Sequence, residues 1–187
     1  MPATAARTLT FTPDEYIAWE PSQEVRHEYH FGEVFPMSGG TSAHAELIVS
    51  LTAALYDALR GSECRVRSEA MRVQVSDDQY VYPDLTVTRG EAAFRSASRT
   101  TLLNPVLVVE VLSPATRAYD VGEKFELYRS MPSVEEVLFV DSERRRVETA
   151  RRTDEGWALS GPADAGAVRL ASVDVEVDVD ALYEGVR

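Results

Sequence analysis

Between residues 42 and 60 the apolar positions Leu47, Ile48, Leu51, Ala54, Leu55, Ala58 and Leu59 recur at helical spacing, and Gly61 follows as a stop. This is the longest helix that the pattern predicts. Two other stretches are continuous apolar runs, VLVVEVL after Pro105 and EVLFV over residues 136–140. Such runs suit strands buried on both faces. Further extended segments are expected at residues 63–67, 71–75, 80–88 and 157–160, with a turn at 76–79. Residues 145–152 read as another, entered through the polar turn Asp141-Ser142-Glu143. VRHEYHFGEVFPMS, around Gly32, reads as a hairpin at a sheet edge. The tail VDVEVDVD alternates strictly, so its valines share one face and its acids the other. A solvated strand face accounts for those acids better than a calcium loop, whose ligands must converge around a turn.

Polar residues mark the helix starts. Thr12, Pro13 and Glu15 make a capping box for a short helix through Trp19. Asp120 with Glu123 predicts a second box, opening a helix that runs through Ser130 and ends at Pro132. Residues 89–104 read as a loop with one helical turn. No repeat or linker interrupts the order, so residues 1–187 are expected to form one domain, mixed α and β around one sheet.

Composition narrows the class. Hydrophobic content of 44% and charged content of 27% are those of a globular chain, long enough for a sizeable core. A net charge of −12 argues against coating nucleic acid non-specifically, but leaves room for an acidic metal site. Cys64 is the only cysteine, which rules out an intramolecular disulfide and fits a reducing cytoplasm. No apolar run approaches the ~20 residues of a membrane span. MPATAARTLT carries no stretch of signal-peptide character. The expectation is a soluble, cytoplasmic protein.

Of the 19 Lys and Arg residues, 18 are arginine and Lys124 alone is lysine. A lysine ammonium is compact and its pKa responds to its surroundings, whereas the guanidinium is a broad fork that stays charged. Two acids stand upstream of it. Asp84 follows Pro83 in YVYPDLTVT, and Glu110 sits inside VLVVEVL. An unpaired carboxylate among valines costs on the order of several kcal/mol, so Glu110 demands a cation, a hydrogen bond or a metal. A divalent metal plus one ammonium would meet that demand; so would a salt bridge to an arginine at a strand end.

PD at 83–84, EVLSPATRAYDVGEKFELYR at 110–129 and MPSVEEVLFVDSERRRVE at 131–148 together resemble a large bacterial family of restriction-endonuclease-like proteins of uncharacterised function. That family lies within the PD-(D/E)XK nuclease superfamily. The resemblance implies an α/β restriction-endonuclease-like core, a central mixed sheet flanked by helices with an N-terminal hairpin. It makes Asp84 the acid of the PD element and Glu110 that of the (D/E)XK element. The usual lysine slot two residues on is Leu112, and Lys124, in GEK, matches the place where the resembled family carries a lysine on the following helix. Asp84, Glu110 and the Val111 carbonyl would hold Mg²⁺, with Mn²⁺ as a substitute. Lys124 would orient a water or stabilise charge on phosphate. The implied reaction is phosphodiester hydrolysis in DNA, with a homodimer expected because cutting both strands takes two sites, and a specificity partner of unknown kind.

Supporting candidates are His44 and Glu46 at the start of the long helix, and Tyr128, one turn after Lys124 on the same face. Asp120 reads mainly as a cap, and Glu69 as surface charge. Arg144, Arg145, Arg146, Arg151 and Arg152 are the only basic cluster, more simply a solvated hairpin than a phosphate site. The competing function is a catalytically inactive member of the same fold that binds nucleic acid or protein.

Overall fold

Leu107–Leu112 (β8) anchors the architecture of the computed structural model, which describes residues 10–37 and 39–186. The stretch MPATAARTL lies outside the described residues. β8 pairs in parallel with Glu136–Asp141 (β9), and both are buried throughout, as their apolar runs require. Leu107, Val109 and Val111 enter one core, while Val108 and Leu112 enter a second on the opposite face. Period two therefore sends Glu110 toward the second core.

A parallel pair needs a crossover. Here it is the helical segment of α3 (Arg117–Tyr119), a π-helical turn at Asp120–Lys124 and α4 (Phe125–Ser130). Phe125 and Tyr128 pack it into the second core, on the Glu110 side of the sheet. Before it in the chain come α1 (Pro13–Trp19), β1 (His27–His30), β2 (Glu33–Pro36) and α2 (Ser42–Ala58). Leu47, Leu51 and Leu55 of α2 cover the first core. The intervening strands are β3 (Cys64–Ser68), β4 (Arg72–Ser76), β5 (Gln79–Val81), β6 (Leu85–Arg89) and β7 (Thr101–Leu102). After β9 follow β10 (Val147–Thr153), β11 (Gly156–Leu159), β12 (Ala167–Leu170), β13 (Val175–Asp178) and α5 (Val179–Leu182).

Mixed α and β is as expected; one sheet is not. The strands form a five-stranded sheet β2-β1-β5-β4-β7, a six-stranded sheet β11-β10-β9-β8-β6-β3, and the pair β12-β13. The expected strand over 80–88 is two strands, β5 in one sheet and β6 in the other. Pro83 has no N–H to donate and restricts Tyr82 before it, so the ladder stops and the chain changes sheets. Residues 89–104 hold β7 and a bridge between Phe94 and Leu102, and no helical turn.

The N-terminal capping box is present, with Thr12 and Glu15 bonding reciprocally. The hairpin is present too, and Phe31 and Gly32 take positive φ at its tip. The capping box at Asp120 is not. The helix starts earlier, at Arg117, whose N–H bonds the Ser113 carbonyl at 2.8 Å while the Ser113 hydroxyl receives the Thr116 N–H at 3.3 Å. Asp120 is interior, with helical φ −64° and ψ −44° where an N-cap would be extended. In the tail, Val175 and Val177 are buried and Glu176 and Asp178 exposed, but the strand ends where the Asp178 carboxylate caps α5. Among the described residues no helix is long and apolar enough to cross a membrane.

Asp141, at the end of β9, ties the crossover down. It accepts hydrogen bonds from Arg117, from Arg144 Nε at 2.9 Å and from the Glu143 N–H at 2.9 Å. Burial pushes its carboxyl up, but Arg144, the Glu143 amide and Arg117 outweigh burial and hold it below the ordinary aspartate range. A depressed carboxylate contributes stability above its unfolded pKa and loses it as pH falls through the folded value. Asp141→Asn is therefore expected to cost about 2 kcal/mol at neutral pH. Denaturant melts should show the gap between variant and wild type closing in acid.

Candidate active site

The chain's crossing between sheets at Tyr82-Pro83-Asp84 brings three elements together. Asp84, just before β6, lies one step beyond the Leu85–Val109 pairing, which puts it opposite Glu110 on β8. Its Oδ2 accepts the Val111 N–H at 2.7 Å. From the crossover, Lys124 reaches down between the sheets. Its Nζ lies 3.0 Å from Glu110 Oε1, 3.2 Å from Glu28 Oε1 and 3.8 Å from Asp120 Oδ1. It also donates to the Tyr82 carbonyl at 3.2 Å. Lys124 is only 4% exposed, too enclosed for its charge to be satisfied by water.

Asp120 and Lys124, four residues apart across a π turn, both face inward. The Phe125 N–H reaches back to the Asp120 carbonyl, so the turn holds one residue more than an α turn. Tyr128, fully buried, donates its hydroxyl to Glu110 Oε1. Leu112 fills core beside Phe125, so the place two residues after Glu110 is apolar packing.

One ammonium cannot neutralise three carboxylates. Burial raises the pKa of Glu110 well above the ordinary range despite Lys124, and burial raises that of Asp120. Glu28 goes the other way. Burial opposes ionisation there, but Lys124 and hydrogen bonds from its neighbours hold its pKa at about 2. Lys124 itself is raised well above its ordinary value, because Glu110, Glu28 and Asp120 outweigh the burial that would lower it. Lys124 thus stands among three buried acids, and the cluster as a whole is short of positive charge.

Glu28 is absent from the sequence reading. It sits on β1 of the five-stranded sheet, 6% exposed. The Tyr82 N–H donates to its Oε1 at 3.0 Å and the Tyr119 hydroxyl to its Oε2 at 2.7 Å. His30 Nε2 lies 3.0 Å from that same hydroxyl. The tyrosine proton is committed to Glu28, so His30 must be the donor in this contact. Period two in HEYH already placed Glu28 and His30 on one face, the one signal that pointed to the pair.

His44 stands over Asp84, Nε2 to Oδ1 3.5 Å, and also engages the Val111 backbone; the hydrogen bond to Asp84 raises its pKa against burial. Glu46 is exposed and accepts the Ser42 hydroxyl at 3.1 Å. The arginine cluster is largely committed elsewhere: Arg144 to Asp141, Arg145 to Asp180, Arg146 to Glu148, and Arg152 to backbone carbonyls including that of Val134. Asp84, Glu110, Lys124, His44 and Tyr119 all border an open cleft of about 1370 Å³. Among the described residues no group of three or more His, Cys, Asp or Glu side chains is arranged to hold a metal ion.

The fold has a solved counterpart. A crystal structure of a putative nuclease belonging to DUF820 from Anabaena variabilis ATCC 29413 superposes with a TM-score of 0.76 at 17% identity, covering 95% of this chain and 99% of that one. The fold is that of the restriction-endonuclease-like nucleases. The chain belongs to the Uma2 family, described as "Putative restriction endonuclease", whose model matches residues 13–179. It is also 33% identical to uncharacterized protein slr1290 of Synechocystis sp. (strain ATCC 27184 / PCC 6803 / Kazusa), over 94% of this chain and 92% of that protein. Uncharacterized protein sll1609 of the same organism is 30% identical over 83% of this chain and 89% of its own length.

Proposed function

We propose that this chain is a divalent-metal-dependent endonuclease that hydrolyses phosphodiester bonds in DNA, with Asp84, Glu110 and Lys124 as its catalytic residues. The observation that carries the reading is the buried contact of Lys124 with Glu110 beside Asp84, at the edge of the cleft. The donors are hard oxygens, two carboxylates and the Val111 carbonyl, and the cluster lacks positive charge. That combination suits Mg²⁺, which commonly takes one or two carboxylates and keeps waters for substrate phosphate to displace. The small number of side-chain ligands agrees with that habit. Such an ion would polarise the phosphoryl group and lower the pKa of a bound water.

The chain's own residues do the rest. Asp84 is held to β8 through the Val111 N–H, which fixes the spacing of the two acids. Tyr128 and Lys124 both bond Glu110 and stop it from turning into the core. All three N–H donors of Lys124 have acceptors: Glu110, Glu28 and the Tyr82 carbonyl. The donor on Glu110 is the one that faces the reacting groups. Were Glu110 to hold the metal, that donor would be free for a water or a phosphate oxygen. Water would then add to phosphorus as the bond to the departing sugar oxygen breaks, and the ammonium would stabilise the charge that develops.

The match over residues 13–179 supports reading the chain as one restriction-endonuclease-like domain. Cutting both strands would use a homodimer. The direct test is cleavage of plasmid and short duplex DNA with Mg²⁺ or Mn²⁺, with a chelator as control. Asp84→Asn is expected to lower the rate about 100-fold or more while leaving the melting curve in place. If neither metal supports cleavage and calorimetry shows no heat of Mn²⁺ binding, the fold serves as a binding module instead.

A further inference from the structure

We infer that Glu28 is a positioning residue for the reaction, the fixed anchor that keeps Lys124 aimed at Glu110. The inference rests on the nuclease reading above and adds a residue from the other sheet to it.

Within 3.2 Å Lys124 has two kinds of partner, with Asp120 standing further off at 3.8 Å. Glu110 belongs to the six-stranded sheet and is itself assigned to the reacting centre. Glu28 and the Tyr82 carbonyl, 3.2 Å away each, lie on the side of the five-stranded sheet and have no part in the chemistry. A lysine stem has several rotatable bonds, and once Glu110 turns to another cation the ammonium would swing unless something else held it. Glu28 is built to do so. Its two oxygens are fixed by the Tyr82 N–H and the Tyr119 hydroxyl, and His30 fixes that hydroxyl in turn. Tyr82 contributes twice, its N–H to Glu28 and its carbonyl to Lys124, so one residue sets both ends of the contact. Glu28 is 6% exposed, so little water reaches it to take the place of the ammonium. A misplaced ammonium is a costly error, because displacement of a catalytic group by about 1 Å can lose about 100-fold in rate.

Lys124 is the only lysine of the chain, which permits a direct test. Protein labelled with ¹⁵N-lysine has a single side-chain ammonium signal, expected to exchange slowly with solvent in the wild type. In E28Q that signal should shift and exchange faster. With Mn²⁺, kcat should fall about 100-fold while KM and calorimetric Mn²⁺ affinity stay near wild type. If E28Q does not fold, Y119F removes one donor from the Glu28 carboxylate and should move the same signal in the same direction, less far. An unchanged lysine signal overturns the inference, as does a wild-type kcat in E28Q. A wild type that cleaves nothing overturns the nuclease reading, and the catalytic role of Glu28 with it; the lysine signal then still decides whether Glu28 holds Lys124.

Discussion

Lys124→Ala is expected to abolish metal-dependent cleavage and to destabilise the protein by about 4 kcal/mol. The two effects have one origin. The ammonium is the shared partner of Glu110, Glu28 and Asp120, all within 3.8 Å of it, and none of the three is exposed enough for water to replace it. Removing one member of a buried ionic group leaves uncompensated charge in a low dielectric, so much of the loss is the penalty on the acids left behind. In a chain of this size that corresponds to a fall of roughly 10 °C in Tm. Lys124→Arg should not rescue activity. The guanidinium is a broad, planar fork and cannot present one compact charge to Glu110, Glu28 and Tyr82 together. Cleavage assays and chemical denaturation of both variants check this. Undiminished cleavage by the alanine variant would sink the role assigned to the lysine.

Glu110→Gln should separate function from stability in the opposite way. Cleavage is expected to fall about 1000-fold, because an amide is a poor ligand for a hard cation and carries no charge to balance one. The metal-free fold, however, should be as stable as wild type or more so. The substitution keeps an oxygen for Tyr128 and Lys124 and removes one of three carboxylates that share a single ammonium. Replacing an ill-compensated buried charge by a neutral group of the same shape is often neutral or stabilising. Such a trade, in which the site is strained for the sake of the reaction, is a common mark of active sites. Parallel measurement of Tm without metal and of the cleavage rate with Mn²⁺ checks it. A large loss of stability in this variant would mean that Glu110 is mainly a structural partner of the lysine.

Much of the scaffold was legible because it depends on local pattern. The α2 stripe, the β8 and β9 runs and the Thr12 box all appear where spacing placed them. The misreadings share a cause, which is that a local signal competed with a tertiary one. Asp120 has the look of a cap, but Ser113 took the helix start and left Asp120 buried beside Lys124. Residues 80–88 have the look of one strand, but Pro83 hands the chain from one sheet to the other. β12 carries too short an alternation to be seen without its partner β13.

By itself the sequence determined the family, the mixed architecture and the identity of the three residues most tied to the proposed chemistry, since an acid in an apolar run and a solitary lysine are visible one residue at a time. Only the tertiary structure decided which charges meet. Glu28 comes from a different sheet from Glu110, and nothing in the order of residues places it beside Lys124. Period two puts Glu28 on a face, but the switch of sheets at Tyr82-Pro83-Asp84 is what turns that face toward the lysine. The ionisation of the cluster followed from the same packing. Burial pushes the Glu28 carboxyl up, but Lys124 and hydrogen bonds, among them one from Tyr82 in its own sheet and one from Tyr119 on the crossover, hold it low, and the lysine and Tyr119 reach it only through tertiary packing.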